Sequence, residues 1–148
     1  MSHSLLLEGS RTQLVNQLVY FDDGLLSFLD EYCPERNSQR ALVEKTIAQY
    51  SSILESILQD FTTDKLNAYA LIGSKVTVQY LDDQSTESYI IVFPANADPE
   101  RHRISFLSPL GLQLLMAQKN DGYELEVPSG MIPVRIQDIQ FYNDGGVE

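Results

Sequence analysis

Residues 14–32, with the sequence LVNQLVYFDDGLLSFLDEY, contain apolar side chains that are spaced alternately by four and by three. These side chains are Leu14, Leu18, Phe21, Leu25, Phe28 and Tyr32. Residues 43–61 repeat the spacing at Val43, Ile47, Tyr50, Leu54, Ile57 and Phe61. Because seven residues make nearly two helical turns, this spacing places each set on one side of a helix. Two such helices bury their apolar sides best against each other, so the first half of the chain predicts a helical hairpin.

The connection between the two predicted helices is short and contains a proline. Pro34 has no amide hydrogen and disfavours helical backbone at the preceding Cys33, so the chain turns there. Either Asn37 or Ser38 can cap the second helix through a side-chain oxygen. A short connection makes the helices neighbours in an antiparallel coiled coil. Gly24 costs about 1 kcal/mol relative to alanine inside a helix, so a kink or break there is the alternative to one continuous helix.

The second half predicts a small sheet domain with one inserted helix. Alternating or β-branched strand patterns cover residues 75–81, 86–93, 104–107, 123–127 and 131–142. Ser108 followed by Pro109 is typical of a helix N-cap and of the first helical position. We therefore predict an α+β fold with two domains, a helical hairpin with its linker at residues 1–72 and a sheet domain at residues 73–148.

Charge and residue types exclude several classes of function. The chain has 148 residues with 10 basic and 21 acidic side chains, so strong binding to free nucleic acid is not expected. One cysteine and two histidines exclude a disulfide framework and a multi-cysteine zinc site, and no phosphate loop or nucleophile motif is present. No apolar run approaches the ~20 residues that cross a bilayer. We expect a cytoplasmic protein that has no membrane partner and no metal or cofactor of its own.

Residues 73–142 resemble the C-terminal domain of the bacterial Gre-type transcription elongation factors, the GreA/GreB family. The stretches that carry the resemblance are Gly73-Ser74-Lys75-Val76-Thr77-Val78, Ala97-Asp98-Pro99, residues 104–111 (ISFLSPLG), Leu114-Leu115, Gly122, Val127-Pro128-Ser129-Gly130, Ile136 and Ile139. The resemblance implies an FKBP-like, antiparallel sheet domain. It also implies docking at the rim of the RNA polymerase secondary channel, through the surface around Ser108, Pro109 and Leu110.

The family's coiled coil reaches down that channel, and acidic residues at its tip help to hold the magnesium ion of the polymerase. Carboxylates suit this role because magnesium prefers hard oxygen ligands. The candidates in this chain are Asp30, Glu31 and Glu35, with the magnesium shared from the polymerase. The family pattern Asp-x-x-Glu is met at Glu35, whereas Tyr32 stands where the aspartate is expected.

The predicted arms are also short, since about 21 helical residues span only ~32 Å and the arms of the family are longer by several turns. Because of these two departures, the first hypothesis is a Gre-type regulator that binds RNA polymerase at its secondary channel, with cleavage stimulation in doubt. Rnk-type relatives, which have a reduced coiled coil and no cleavage activity, are the precedent within the family. The alternative is an active transcript-cleavage factor that rescues backtracked polymerase. In both cases we expect that the chain is not an enzyme and acts through the polymerase active site if at all.

Two further possibilities remain open. An FKBP-like fold suggests a peptidyl-prolyl isomerase, which is the least favoured hypothesis because the chain has no tryptophan and the aromatic residues of its second half fit a sheet core. Apolar residues outside the heptad widen the apolar stripe of the first helix and leave self-association open: Val15, Val19, Leu26 and Leu29.

Overall fold

The computed structural model describes residues 2–142 and 146, and it describes side chains from residue 7 onward. The chain divides into two compact units, of which the first ends at Thr62 and the second begins at Thr63. The second unit thus begins before the Gly73 boundary expected from the sequence. Its first residues pack with the sheet, since Leu66 is buried and the Ala70 N–H donates to the Ala117 carbonyl over 2.8 Å.

Two long helices form the first unit. Helix α1 spans Ser2–Tyr32 and helix α2 spans Ser38–Gln59. Contacts between Asp30 and Arg40 near the turn, and between Gln17 and Tyr50 farther along, show that the helices run antiparallel. The backbone at Gly24 has φ −122° and ψ 17°, so α1 is kinked within its span at this glycine, which is the alternative that the sequence left open.

We call the buried interface between α1 and α2 the hairpin seam. On α2 it follows the heptad, with Val43, Ile47, Tyr50, Leu54 and Ile57 buried. On α1 the predicted Leu14, Phe21 and Phe28 are buried, whereas Leu18, Leu25 and Tyr32 are half-buried and Gln17 and Leu29 are buried instead. Aromatic rings pack edge to face in the middle of the seam. The ring centroids are 5.8 Å apart for Phe21 and Phe28 and 6.3 Å apart for Phe21 and Tyr50.

A five-stranded sheet forms the second unit, preceded by the short helix α3 (Thr63–Leu66). Its strands, in the spatial order β3-β2-β1-β5-β4, are β1 (Ser74–Tyr80), β2 (Thr86–Val92), β3 (Arg103–Ser105), β4 (Gly122–Val127) and β5 (Gly130–Phe141). The inserted helix is α4 (Pro109–Leu114). The predicted fold class, an α+β chain with a helical hairpin followed by a sheet domain with one short helix, is confirmed.

One strand pair corrects the expectation of an entirely antiparallel sheet. β2 and β3 are parallel, with Ile91 opposite Ile104. Residues 93–102 contain two 3-10 turns and lead the chain back to the start of β2, so the next strand runs in the same direction. Parallel pairing here follows from the length of this connection, which the strand patterns alone do not specify.

The core of the second unit lies under one face of the sheet. Val76 and Val78 alternate along β1 and are fully buried. Phe93 and Phe106 are also fully buried, with their rings nearly perpendicular and their centroids 5.7 Å apart. None of the helices within the described residues is long and apolar enough to cross a bilayer.

Candidate functional site

The turn between the two helices, which we call the hairpin tip (residues 30–40), carries all three predicted acidic candidates. Asp30 and Glu31 lie in the last turn of α1, and Glu35 lies in the connection to α2. All three are exposed. Among the described residues, the side chains of Glu31 and Glu35 have no hydrogen-bond or ion-pair partner, whereas the Asp30 side chain is paired with Arg40.

The side chain of Arg40 is buried at the base of the hairpin tip. Its Nη1 donates one hydrogen bond to Asp30 Oδ1 over 3.0 Å and another to the Cys33 carbonyl oxygen over 3.1 Å. The Cys33 carbonyl follows the last residue of α1, where helical carbonyls have no partner within the helix. One guanidinium therefore satisfies the end of α1 and pairs with its last aspartate.

The start of α2 is capped in the same place. Of the two predicted caps, Asn37 is the one that acts, because its Oδ1 accepts a hydrogen bond from the Arg40 amide over 3.1 Å. At the other end of the turn, the Cys33 amide donates to the Leu29 carbonyl over 2.7 Å. The turn is thus held at both ends, and Glu35 lies on the exposed segment between them.

Sequence reasoning missed the role of Arg40, although a signal for it was present. Arg40 stands three residues before Val43 and seven before Ile47, so it continues the four-three spacing of α2 toward the turn. A charged residue at a position that the heptad assigns to the buried seam needs a partner close by. Asp30, ten residues earlier across the turn, is that partner.

The carboxylates of the hairpin tip do not form a metal site by themselves. In the part of the chain that the structure describes, no three or more histidine, cysteine, aspartate or glutamate side chains lie where they could hold a metal ion together. Any cation at the tip would need further ligands from another molecule, since a divalent cation such as magnesium takes about six oxygen ligands.

The predicted docking residues lie at a corner between β3 and α4. The Ser108 hydroxyl donates to the Ser105 carbonyl over 2.7 Å and accepts from the Gly111 amide over 3.0 Å, so it caps α4 and is fully used within the corner. Pro109 is exposed and Leu110 is half-buried. Of the three candidates, Pro109 therefore offers the most surface, while Ser108 shapes the corner.

The same corner is fastened to the edge of the sheet. The Gln113 side chain accepts from the Glu126 amide over 2.7 Å and donates to the Glu126 carbonyl over 3.0 Å. These two bonds pair α4 with the outer edge of β4, as a neighbouring strand would. The surface around Pro109 is therefore held by fixed backbone on both sides.

Arg101 and His102, which belong to the short basic run Arg101-His102-Arg103, line a cavity of about 420 Å³ in the second unit. His102 is exposed, and its ring stacks on Tyr89 with centroids 5.4 Å apart. Burial raises the pKa of Tyr89, and hydrogen bonds with Tyr80 and Glu87 raise it further. These contacts account for the local geometry of the run without a ligand.

Comparison with known proteins gives one consistent result. Residues 67–141 match the family model described as "Transcription elongation factor, GreA/GreB, C-term". The chain is 30% identical over 135 residues to transcription elongation factor GreA of Limosilactobacillus fermentum, an alignment that covers 88% of this chain and 82% of the relative. It is 32% identical over 130 residues to transcription elongation factor GreA of Acetivibrio thermocellus, covering 85% and 77%.

A solved structure matches at lower sequence identity. The prokaryotic transcription elongation factor GreA/GreB from Nitrosomonas europaea matches with a TM-score of 0.47 and 20% identity, covering 70% of this chain and 93% of that chain. The curated relatives also correct one expectation, that the chain is not an enzyme. This expectation is wrong, because relatives named transcription elongation factor GreA point to a factor that stimulates RNA cleavage.

Proposed function

Because the chain belongs to the GreA/GreB family of transcription elongation factors, we propose that it binds RNA polymerase and stimulates cleavage of the transcript in backtracked complexes. The observation that supports this most directly is the pair of exposed and unpartnered carboxylates, Glu31 and Glu35, at the end of a two-helix rod. The proposal assigns these two residues to the polymerase active site and the corner around Pro109 to docking.

The dimensions of the hairpin suit entry into a narrow channel. Helix α2 has 22 residues, which at 1.5 Å per residue gives a rod of ~33 Å. Two packed helices are only about 20 Å wide. Such a rod presents its tip carboxylates well away from the other end of α2.

The proposed role requires the hairpin tip only to supply oxygen ligands to a cation. Cleavage of a phosphodiester bond by water needs a hard cation that orients the water and neutralises the developing charge. That cation would be the magnesium of the polymerase, for which Glu31 and Glu35 can supply one or two oxygen ligands. Holding those carboxylates on an ordered turn lowers the entropy cost of placing them at the reacting atoms.

Docking through the β3–α4 corner has support of its own. Pro109 projects from a segment fixed by the Ser108 cap on one side and by the Gln113 bonds to β4 on the other. A surface that is already ordered loses little conformational entropy on binding, which favours a corner of this kind as a contact point.

A transcript-cleavage assay on stalled, backtracked complexes tests the proposal. We expect Glu35→Gln to slow cleavage by about tenfold or more, equivalent to about 1.4 kcal/mol, while polymerase binding stays within about twofold. Glu44→Gln is the matched control, since Glu44 is an exposed glutamate of α2 outside the tip, and it should behave as wild type. A wild-type chain that binds polymerase but never shortens the RNA would rule out cleavage stimulation, and one that does not bind would rule out the whole proposal.

A second pair of variants tests the docking assignment. Pro109→Glu places a charge on the exposed corner, and a glutamate is well tolerated in the first turn of a helix. We expect it to raise the half-saturating concentration for polymerase without changing the maximal cleavage rate. Pro128→Glu adds the same charge at another exposed proline, in the turn before β5, and should leave both quantities unchanged.

A further inference from the structure

Arg40 stands where the hairpin seam would ordinarily hold an apolar side chain. It is 7% exposed, and no other charged residue in the described part of the chain is buried to this degree. Burying a guanidinium costs several kcal/mol unless it is paired, and a well-packed apolar residue at such a position is often at least as stable. Packing alone therefore does not account for an arginine at this position.

The two side-chain hydrogen bonds of Arg40 indicate its role. Nη1 reaches both Asp30 Oδ1 and the Cys33 carbonyl oxygen, which belong to the last turn of α1 and to the first residue of the turn. The Arg40 backbone amide is at the same time bonded to Asn37 Oδ1, at the far end of the turn. Arg40 thus connects both ends of the segment that carries Glu35.

The same geometry divides the three acidic residues into two kinds. The Asp30 carboxylate has a guanidinium 3.0 Å from one oxygen, and this positive charge opposes the approach of a divalent cation to that carboxylate. Glu31 and Glu35 have no such neighbour among the described residues. Proximity to the tip is therefore not sufficient to make an acidic residue available as a metal ligand.

We propose that Arg40 is a positioning residue of the hairpin tip, which uses Asp30 as its anchor and orders the turn so that Glu31 and Glu35 are the carboxylates presented to the polymerase. This inference rests on the proposed function for its last step, the use of those carboxylates in cleavage. Its first step, the ordering of the turn, concerns the isolated chain and is measured without polymerase.

The single cysteine of the chain gives that measurement. Cys33 is half-buried and its carbonyl is one of the two acceptors of Arg40, so the rate at which a small thiol reagent such as DTNB labels it reports the order of the turn. We expect Arg40→Met, which keeps an apolar stem, to raise the labelling rate by about fivefold or more. Arg40→Lys should fall between wild type and Arg40→Met. Arg36→Met removes an exposed arginine of the same turn and should label like wild type.

The cleavage assay supplies the second readout. At saturating factor we expect Arg40→Met to lower the maximal cleavage rate several-fold while the half-saturating concentration stays the same, because docking uses the other unit. Arg40→Lys should restore part of the rate. Asp30→Asn keeps an acceptor for Arg40 and should lose at most about twofold, compared with about tenfold for Glu35→Gln.

Each outcome decides the inference. Equal cleavage losses from Asp30→Asn and Glu35→Gln, with a wild-type thiol rate in Asp30→Asn, would overturn it, because Asp30 would then be acting as a metal-facing carboxylate and not as the anchor of Arg40. An unchanged thiol rate in Arg40→Met would also overturn it, whatever the cleavage result. If the wild-type chain does not accelerate cleavage, the proposed function fails, and the thiol rates still show whether Arg40 orders the tip. Circular dichroism on Arg40→Lys and Arg40→Met confirms that the hairpin is still folded when these rates are compared.

Discussion

A Cβ atom added at Gly111 would lie 2.0 Å from the carbonyl oxygen of Ser105 and 2.9 Å from its carbonyl carbon. Both are backbone atoms, and the backbone around them is fixed by the hydrogen bond from the Phe106 amide to the Val92 carbonyl at 3.0 Å. The glycine is therefore required by the close approach of α4 to the end of β3, which is the approach that builds the corner around Pro109.

The first prediction concerns this approach. Gly111→Ala should destabilise the second unit by about 1–3 kcal/mol, because the backbone must move to accept the methyl group. Urea denaturation followed by circular dichroism measures the change. Gly122→Ala is the control, since its Cβ would meet only the Val134 carbonyl oxygen at 3.9 Å, an ordinary contact. If both variants unfold at the same urea concentration, the close approach of α4 to β3 does not require a glycine at position 111.

Apolar spacing predicts the buried residues of α2 better than those of α1. The seam of α2 was predictable because five of its large apolar residues occur at heptad positions and only Leu42, Ile53 and Leu58 lie outside them. On α1, Val15 lies two residues before Gln17 and Leu18 directly follows it, so the apolar pattern fits more than one buried side of the helix and assigns Gln17 to none of them. The structure buries Gln17, because Tyr50 across the seam offers it a hydrogen bond that no pattern within one helix can reveal.

The candidate site divides in the same way. The acidic residues of the tip and the Ser108 cap follow from local spacing, and both lie where the sequence predicts. The distinction between Asp30 and the two glutamates depends on Arg40, which comes from the other side of the turn. Contacts of this kind depend on the register between two helices, and the heptad fixes that register only when the position and length of the turn are known.

The second prediction concerns the polar contact inside the seam. Tyr50 is 1% exposed and its hydroxyl donates to Oε1 of the fully buried Gln17. Tyr50→Phe should cost about 1–2 kcal/mol, because a buried amide loses one of its hydrogen bonds. Gln17→Leu combined with Tyr50→Phe should cost less than the sum of the two single changes. Additive effects in this double-mutant cycle, measured by urea denaturation, would show that the two side chains are not coupled.

The third prediction is a dependence of stability on alkaline pH. The pKa of Tyr89 is raised first by burial and then by its hydrogen bonds with Tyr80 and Glu87. A raised pKa means that the folded state holds the phenolic proton more tightly. Its contribution is therefore complete below the unfolded value near 10 and is lost as the pH rises above that value. The free energy of unfolding of the second unit should thus fall above about pH 10.

Replacement of Tyr89 by phenylalanine tests the origin of this slope. Tyr89→Phe should flatten the fall in unfolding free energy above about pH 10, as measured by urea titrations at several alkaline pH values. Burial also raises the pKa of Tyr123, with the Asp121 charge as the next cause, so a smaller slope should remain in Tyr89→Phe. Removing Tyr123 as well should abolish most of that remainder. An unaltered slope in Tyr89→Phe would place the alkaline sensitivity elsewhere.

The fourth prediction concerns the cap of α2. Asn37 Oδ1 accepts from the Arg40 amide over 3.1 Å, so Asn37→Ala should lower the stability of the first unit by about 1 kcal/mol. Asn37→Asp keeps the acceptor and adds a negative charge at the start of a helix, so it should be as stable as wild type or more so. Ser38→Ala is the control, because Ser38 is exposed and was the other candidate cap. The cap also bears on the order of the turn, because Asn37 binds the backbone amide of Arg40 and the Arg40 guanidinium binds the Cys33 carbonyl. The Cys33 thiol should therefore label faster in Asn37→Ala than in Ser38→Ala. Equal labelling and equal stability in these two variants would mean that the turn is ordered by Arg40 alone.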